Sequence, residues 1–281
     1  MDDLPGRARS HDGAADLQAD PRLLGTPVSR LSHARPAATT GQQAGRQTVT
    51  LSCFRFDRFL DRAVQLGSMA GRKWLFSRIP GLGFARMMGT GTGEGFDPAP
   101  NTAVWTILAT WDDETAAAKG LASAPWARRR ARASEHCTLT MAPLSSSGRW
   151  GGTGPFEAWG ASAPTACPIA VLTRATVRAS HAREFWSKVP AINRQIAAGP
   201  GMLFRLGMGE VPLLHQVTFS VWSDPQAMRR FAYGGEGHRA AIAAVRRGDW
   251  FAEELYARFA VLSAEGTWNG RPPLSLADQP L

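Results

Sequence analysis

One pattern occurs twice in this chain, and it leaves few folds open. Thr48–Phe56 alternates as a strand, a helix follows over about 57–72, and Leu82–Met88 is a second strand. Thr102–Trp111 is a third strand, and Asp112-Asp113-Glu114 opens a helix with acidic residues where the helix dipole favours them. That helix runs to about Ser134 with interruptions at Gly120 and Pro125, and Cys137–Ala142 closes the unit. The grammar then restarts. Ile169–Val177 reads as a strand, His181–Ala198 as a helix, and Met202–Met208 with Leu213–Trp222 as a hairpin. Ser223-Asp224-Pro225 opens a helix with a capping side chain followed by Pro in the first turn. It breaks at Tyr233-Gly234-Gly235 and resumes through His238, and Arg258–Leu262 reads as the closing strand.

Local residues agree with the order. Phe84 matches Phe204, Gly93-Glu94 matches Gly209-Glu210, and Trp111 and Trp222 end equivalent strands. The fold class is therefore α+β: tandem ferredoxin-like βαββαβ units forming a dimeric-α+β-barrel-type fold within one chain. Each unit alone would expose one sheet face, and the pair can bury those faces together. The expected organisation is a disordered extension over 1–46 and a first unit over 47–144. A linker over 145–167, a second unit over 168–265 and a tail over 266–281 complete it.

The composition, 44% hydrophobic and 20% charged, is that of a globular protein. No run reaches the roughly 18 apolar residues of a membrane span, and the N-terminus lacks an apolar signal segment. A cytoplasmic location follows as the expectation. Cys53, Cys137 and Cys167 are odd in number and unpatterned, which fits a reducing compartment and no zinc site. The net charge of +9, clustered at Arg128-Arg129-Arg130 and Arg246-Arg247, suits a solvated face, anionic lipid, an acidic protein or nucleic acid. Ten Trp is a high count, and Trp serves cores, apolar pockets and membrane interfaces alike.

Gly89–Gly95 (GTGTGEG) looks like a phosphate loop, but a strand follows where such a loop needs a helix N-terminus. A mobile gate over a pocket is the better reading. No GxSxG elbow, HExxH helix or pair of catalytic carboxylates stands out. Among the histidines, His136 and His181 read as surface residues. His215 lies on a strand between apolar neighbours, facing either a pocket or the partner sheet. His238, in GEGHRAAIAAV, borders an apolar helix face; its bland reading is structural, and its functional one an axial ligand to haem iron.

The segments LSCFRFD, MMGTGTGEGFDPAPNTAVW, PIAVLTRATVR, GMGEVPLLHQVTFSVW and RGDWFAEELYARF resemble the spheroidene monooxygenases of purple photosynthetic bacteria, in order, over about residues 47–265. The resemblance implies O₂-dependent oxidation of acyclic carotenoids at C-2, spheroidene becoming spheroidenone, at a b-type haem supplied with electrons by reduced ferredoxin. It also implies likeness to dimeric α+β-barrel proteins, some of which bind haem through a histidine in the helix after the third strand. His238 holds that place in the second unit, with His215 as the alternative. The first unit has Trp126 or Ala127 there, which implies one haem per chain. Trp105, Trp111, Phe204, Phe219 and Trp222 are the candidates to line a tunnel for a polyene. A lipid-held substrate makes peripheral contact with the cytoplasmic side of the inner or photosynthetic membrane sensible. The basic surface would serve ferredoxin or anionic lipid. The rival readings are a carotenoid- or tetrapyrrole-binding barrel without catalysis and a cofactor-free monooxygenase. A nucleic-acid role is the weakest of all.

Overall fold

The computed structural model describes residues 45–92 apart from 71–74, residues 99–187 apart from 161–166, residue 189, residues 201–234 apart from 212, and residues 249–274. Residues 1–44 of the expected N-terminal extension, residues 93–98 of the expected glycine-rich gate, the far end of the helix reaching Ala198, and His238 lie outside the described residues.

Eight strands form: β1 (Thr48–Arg55), β2 (Leu82–Gly91), β3 (Pro100–Trp111), β4 (Glu135–Gly148), β5 (Ile169–Val177), β6 (Met202–Gly209), β7 (His215–Trp222) and β8 (Phe251–Gly266). Helices α1 (Phe59–Ala70), α2 (Glu114–Ala122), α3 (Ala124–Arg132) and α4 (Pro225–Gly234) lie between them. Each unit builds its own sheet, in the order β4-β1-β3-β2 and β8-β5-β7-β6. The sheets then join edge to edge into one closed antiparallel barrel. One seam is short, with Gly89 opposite Gly209 and Thr90 opposite Met208. The other is long, with Cys137–Gly148 running against Leu255–Gly266. Closure leaves no unpaired strand edge among these eight. Among the described residues no helix is long and apolar enough to cross a membrane.

The two-residue period of a strand sorts side chains between the barrel interior and the outer faces. Val49, Leu51, Leu108, Leu139, Leu172, Phe204, Val217, Phe219, Leu255 and Phe259 fill the interior, and all are buried. The alternate residues of the first sheet face α2 and α3. Asp113 caps α2, accepting from the Ala116 amide at 2.7 Å. Pro125, in the first turn of α3, starts a new helix where the sequence shows an interruption.

Each unit ends in a feature that the sequence reading leaves in a linker and a tail. β4 continues past residue 144 to Gly148, and β8 starts at Phe251 rather than Arg258 and runs to Gly266. After Gly148 the chain turns through Trp150-Gly151-Gly152-Thr153, and after Gly266 through Trp268-Asn269-Gly270-Arg271. In both turns the two central residues have positive φ, 61° and 79° in one and 54° and 74° in the other, a geometry suited to Gly and Asn. Each Trp plugs one barrel mouth. Trp150 packs edge-on against Phe84 at 5.4 Å, and Trp268 packs against Phe204 at 6.5 Å.

Each turn is held by a glutamate of the opposite unit. The Gly151 and Gly152 amides donate to Glu253 at 2.9 and 2.7 Å, and the Gly270 amide donates to Glu135 at 2.7 Å. Arg174 pairs with Glu253 and Arg55 pairs with Glu135, each guanidinium also lying over its Trp ring. The plugs are thus exchanged between the units. After the turn at Trp150 the chain lies back on the start of β1. Trp159 Nε1 donates to the Gln47 carbonyl at 2.7 Å, and Phe156 packs on Phe259 at 5.0 Å.

Burial disfavours the charged form of both glutamates. The turn amides and the arginine outweigh it, so both carboxyls sit below the ordinary range. A depressed folded-state pKa contributes stability that is complete above the ordinary glutamate value of about 4.3. That stability is lost as pH falls through the lowered folded value. Melting temperature should therefore hold between neutrality and about pH 5 and then drop. Glu253→Gln should be less stable than wild type at pH 7, with the gap closing in acid. A pH-independent gap in a thermal-melt series would refute the assignment.

Candidate active site

The registers of the two sheets superimpose residue by residue. Thr48 lies opposite Trp111 as Ile169 lies opposite Trp222, and Met87 lies opposite Ile107 as Gly207 lies opposite Thr218. This gives a direct comparison of the outer faces, where a sheet and its helices enclose a layer.

In the first unit the layer is full. Phe54, Phe56, Met87, Trp105, Ile107 and Trp111 form one buried cluster with Trp126 of α3. Trp111 Nε1 donates to Thr50 Oγ1 at 2.9 Å, Trp126 Nε1 donates to Ser52 Oγ at 3.2 Å, and the two indoles stand 5.3 Å apart. Gly120 of α2 is needed for this fit, since a Cβ there would fall 2.0 Å from the Trp111 ring. Arg129 is buried in the same layer. Desolvation lowers its pKa to about 10, and it donates to the Pro125 carbonyl at 2.8 Å. Around this cluster Phe76, Leu82 and Ala85 are only partly buried.

In the second unit the matching face is small and polar. Ala175 stands in the place of Phe54, Val177 in that of Phe56, Gly207 in that of Met87, Gln216 in that of Trp105, and Thr218 in that of Ile107. The tryptophan alone is kept. Trp222 stacks on Phe231 of α4 at 4.9 Å, and its Nε1 donates to Ser220 Oγ at 3.0 Å. Asp224 caps α4 by accepting from the Gln226 and Ala227 amides at 2.8 Å. Those amides and the Ser223 hydroxyl hold its carboxyl below the usual range. The floor of this layer is thus cleared of the bulk that fills the other half. His238, in the chain that follows α4, lies outside the described residues.

The halves also differ at the barrel mouth that Trp150 plugs. Arg86 and His215 stand there, where the register places Leu206 and Val104 at the other mouth. Glu210 organises them. It pairs with Arg86 Nε at 3.0 Å, accepts from Trp150 Nε1 at 2.8 Å, and lies 3.9 Å from His215 Nδ1. With Arg174 these residues line a cavity of about 410 Å³.

The sequence-derived site residues divide accordingly. Trp105 and Trp111 are in the filled layer of the first unit, Phe204 and Phe219 meet inside the barrel at 6.2 Å, and Trp222 is on the floor of the second layer. They do not line one tunnel, because neighbouring strand positions point to opposite faces. His215 faces inward at the mouth rather than toward the floor of the second layer. The cysteines, unpatterned in sequence, include one facing pair: Cys53 lies opposite Cys137 on β1 and β4. Contact with the Cys137 thiol and burial push the Cys53 thiol well up, which leaves it protonated and a poor nucleophile.

Residues 167–262, the second unit, match the family model described as domain of unknown function DUF3291. The chain is 46% identical over 233 residues to the spheroidene monooxygenase of Cereibacter sphaeroides, spanning 82% of this chain and 72% of that one. It is 42% identical over 228 residues to the spheroidene monooxygenase of Rhodobacter capsulatus, spanning 80% and 95% of the two chains. The chain belongs to the spheroidene monooxygenase family. The spheroidene monooxygenase of Rubrivivax gelatinosus, at 35% identity over 213 residues, agrees. The fold of this family member is shared more widely. An aldoxime dehydratase crystallised with butyraldoxime superimposes with a TM-score of 0.50 at 12% identity, covering 82% of this chain and 84% of that one.

Proposed function

We propose that this chain is a carotenoid monooxygenase, and that its reaction chamber is the layer over the outer face of the second sheet. The observation that supports this location is the one-sided clearing of bulk described above. In one half Phe54, Met87, Trp105 and Ile107 close the layer, and in the other Ala175, Gly207, Gln216 and Thr218 leave its floor low. The substrate is an acyclic carotenoid oxidised at C-2, as in spheroidene to spheroidenone. A flat, largely apolar guest suits a floor bounded by the stacked Trp222 and Phe231, with a few hydroxyl and amide groups to orient it.

Haem would suit the same floor, where Ala175, Gly207 and Thr218 are small enough to permit close approach of a macrocycle. His238 would hold the iron, and the group would supply O₂ activation with electrons from reduced ferredoxin. A group held by His215 would instead sit in the mouth cavity beside Arg86 and Glu210. Thr218, Ser220 and Gln216 would orient the chain end, and the filled first layer would act only as scaffold. The basic surface suits an acidic electron donor.

Absorption spectra of the purified protein, oxidised and dithionite-reduced, with a haemochrome assay, test the cofactor. The expected result is one haem per chain, lost in His238→Ala and kept in His215→Ala. A haem-free protein from a haem-replete host that still forms ketocarotenoid would overturn the haem assignment.

A further inference from the structure

α1 is packed inside out. A helix lying on a globular protein turns its apolar stripe to the core and its polar residues to water. Here Asp61 and Gln65, one turn apart, face inward and are 7% and 2% exposed. Asp61 is fixed there by a 3.1 Å pair with Arg132 of α3. The outward face carries Phe59 at 80% exposure, Leu60 at 74%, Leu66 at 61% and Val64 at 49%. Four large apolar side chains on three turns of one helix form a patch rather than scattered exposure.

We infer that α1 is a lipid-docking helix, lying flat with Phe59, Leu60, Val64 and Leu66 in the surface of an anionic leaflet. The charges around the patch choose this occupant. Arg58, just before α1, and Arg62, on its first turn, stand at the start of the stripe, the latter donating to the Phe56 carbonyl at 2.7 Å; Arg132 pairs with Asp61 and the exposed Arg128 lies one turn earlier on α3, so the four arginines outnumber the two acids beside them, Asp57 and Asp61. A second copy docked on this face would set one basic rim against another. An anionic leaflet takes the apolar stripe and satisfies the rim together. The chain's net charge of +9 adds long-range attraction of the same sign. This surface rests on the packing of α1 and not on the reaction, so the two readings fail separately.

Flotation of the full chain with carotenoid-free vesicles tests it. Binding is expected to vesicles containing phosphatidylglycerol, weaker to phosphatidylcholine alone, and reduced by salt. Phe59→Asp with Leu66→Asp should lower partitioning by roughly tenfold or more, with unchanged melting temperature and circular dichroism. Arg58→Glu with Arg128→Glu should weaken binding to the anionic vesicles alone. The proposal is overturned if the wild-type chain floats with neither vesicle. It is equally overturned if light scattering shows a dimer that Phe59→Asp dissolves, or if the α1 variant melts earlier while binding is unchanged, since the face is then covered by a second copy or by the chain itself.

Discussion

Filling the floor of the second sheet should abolish turnover while leaving the barrel intact. The test is to write the first unit's residues into the second: Ala175→Phe, Gln216→Trp and Thr218→Ile, after their register partners Phe54, Trp105 and Ile107. All three introduced residues favour strands, so the sheet itself is not opposed. A substrate displaced by even 1 Å from its productive position loses about a hundredfold in rate, and a blocked floor displaces it further. The expected outcome is a loss of ketocarotenoid formation of a hundredfold or more, with the strand signature retained in circular dichroism and a cooperative melt, lowered by the overpacking at the buried Ala175. Thr218→Ser, which enlarges the space and keeps the hydroxyl, should retain most activity. A triple variant with full turnover would move the chamber to the barrel mouth. Arg86→Leu, copying Leu206, would then be the decisive substitution.

The second large effect is on stability. Gly148 and Gly266 precede the two plugging turns at φ of 91° and 84°, and in each a Cβ would fall 2.2 Å from a backbone carbonyl, that of Glu254 or His136. The same carbonyls accept the next amides along, from Arg149 at 2.8 Å and Thr267 at 3.0 Å, so neither can step aside without breaking a ladder bond. Gly148→Ala combines left-handed backbone strain of about 1–2 kcal/mol with overpacking of about 1–3 kcal/mol. In a chain of this size that should lower the melting temperature by roughly 10 °C. Gly266→Ala should match it. Gly152→Asn is the control. Its φ of 79° suits Asn and a Cβ there meets nothing within 4 Å, so its melt should stay close to wild type.

The tandem was legible because strand periodicity survives in both copies, and Ile169–Val177 coincides with β5. Of β8 only Arg258–Leu262 was, because the preceding Ala252–Ala257 (AEELYA) is rich in good helix formers, and the alternation of Leu255, Ala257 and Phe259 inside shows only once the partner strands are known. The plugging turns did leave a signal. Gly-Arg-Trp-Gly-Gly-Thr and Gly-Thr-Trp-Asn-Gly-Arg recur at the interval that separates Glu135 from Glu253. They passed as linker and tail because Gly and Asn read as turn residues without saying what a turn closes. The cleared floor was hidden for another reason: Ala175, Gly207 and Thr218 are unremarkable singly. Only the register sets each against the bulky residue it replaces.

The exchange of plugs bears on the order in which the protein can be made. When the ribosome has delivered the first unit, β4 has β1 on one side and nothing on the other, and Glu135 has no turn amides to receive. Arg55 waits for Asn269, which it reaches across 214 residues at 2.6 Å. The nascent half therefore carries an open strand edge and an unstoppered barrel end until almost the last residue has emerged, and exposed edges of this kind are where chains join to one another. Truncation at the end of the first unit would make that passing state permanent. A fragment ending near residue 160 is thus expected to aggregate rather than fold, although every residue of its own sheet is present.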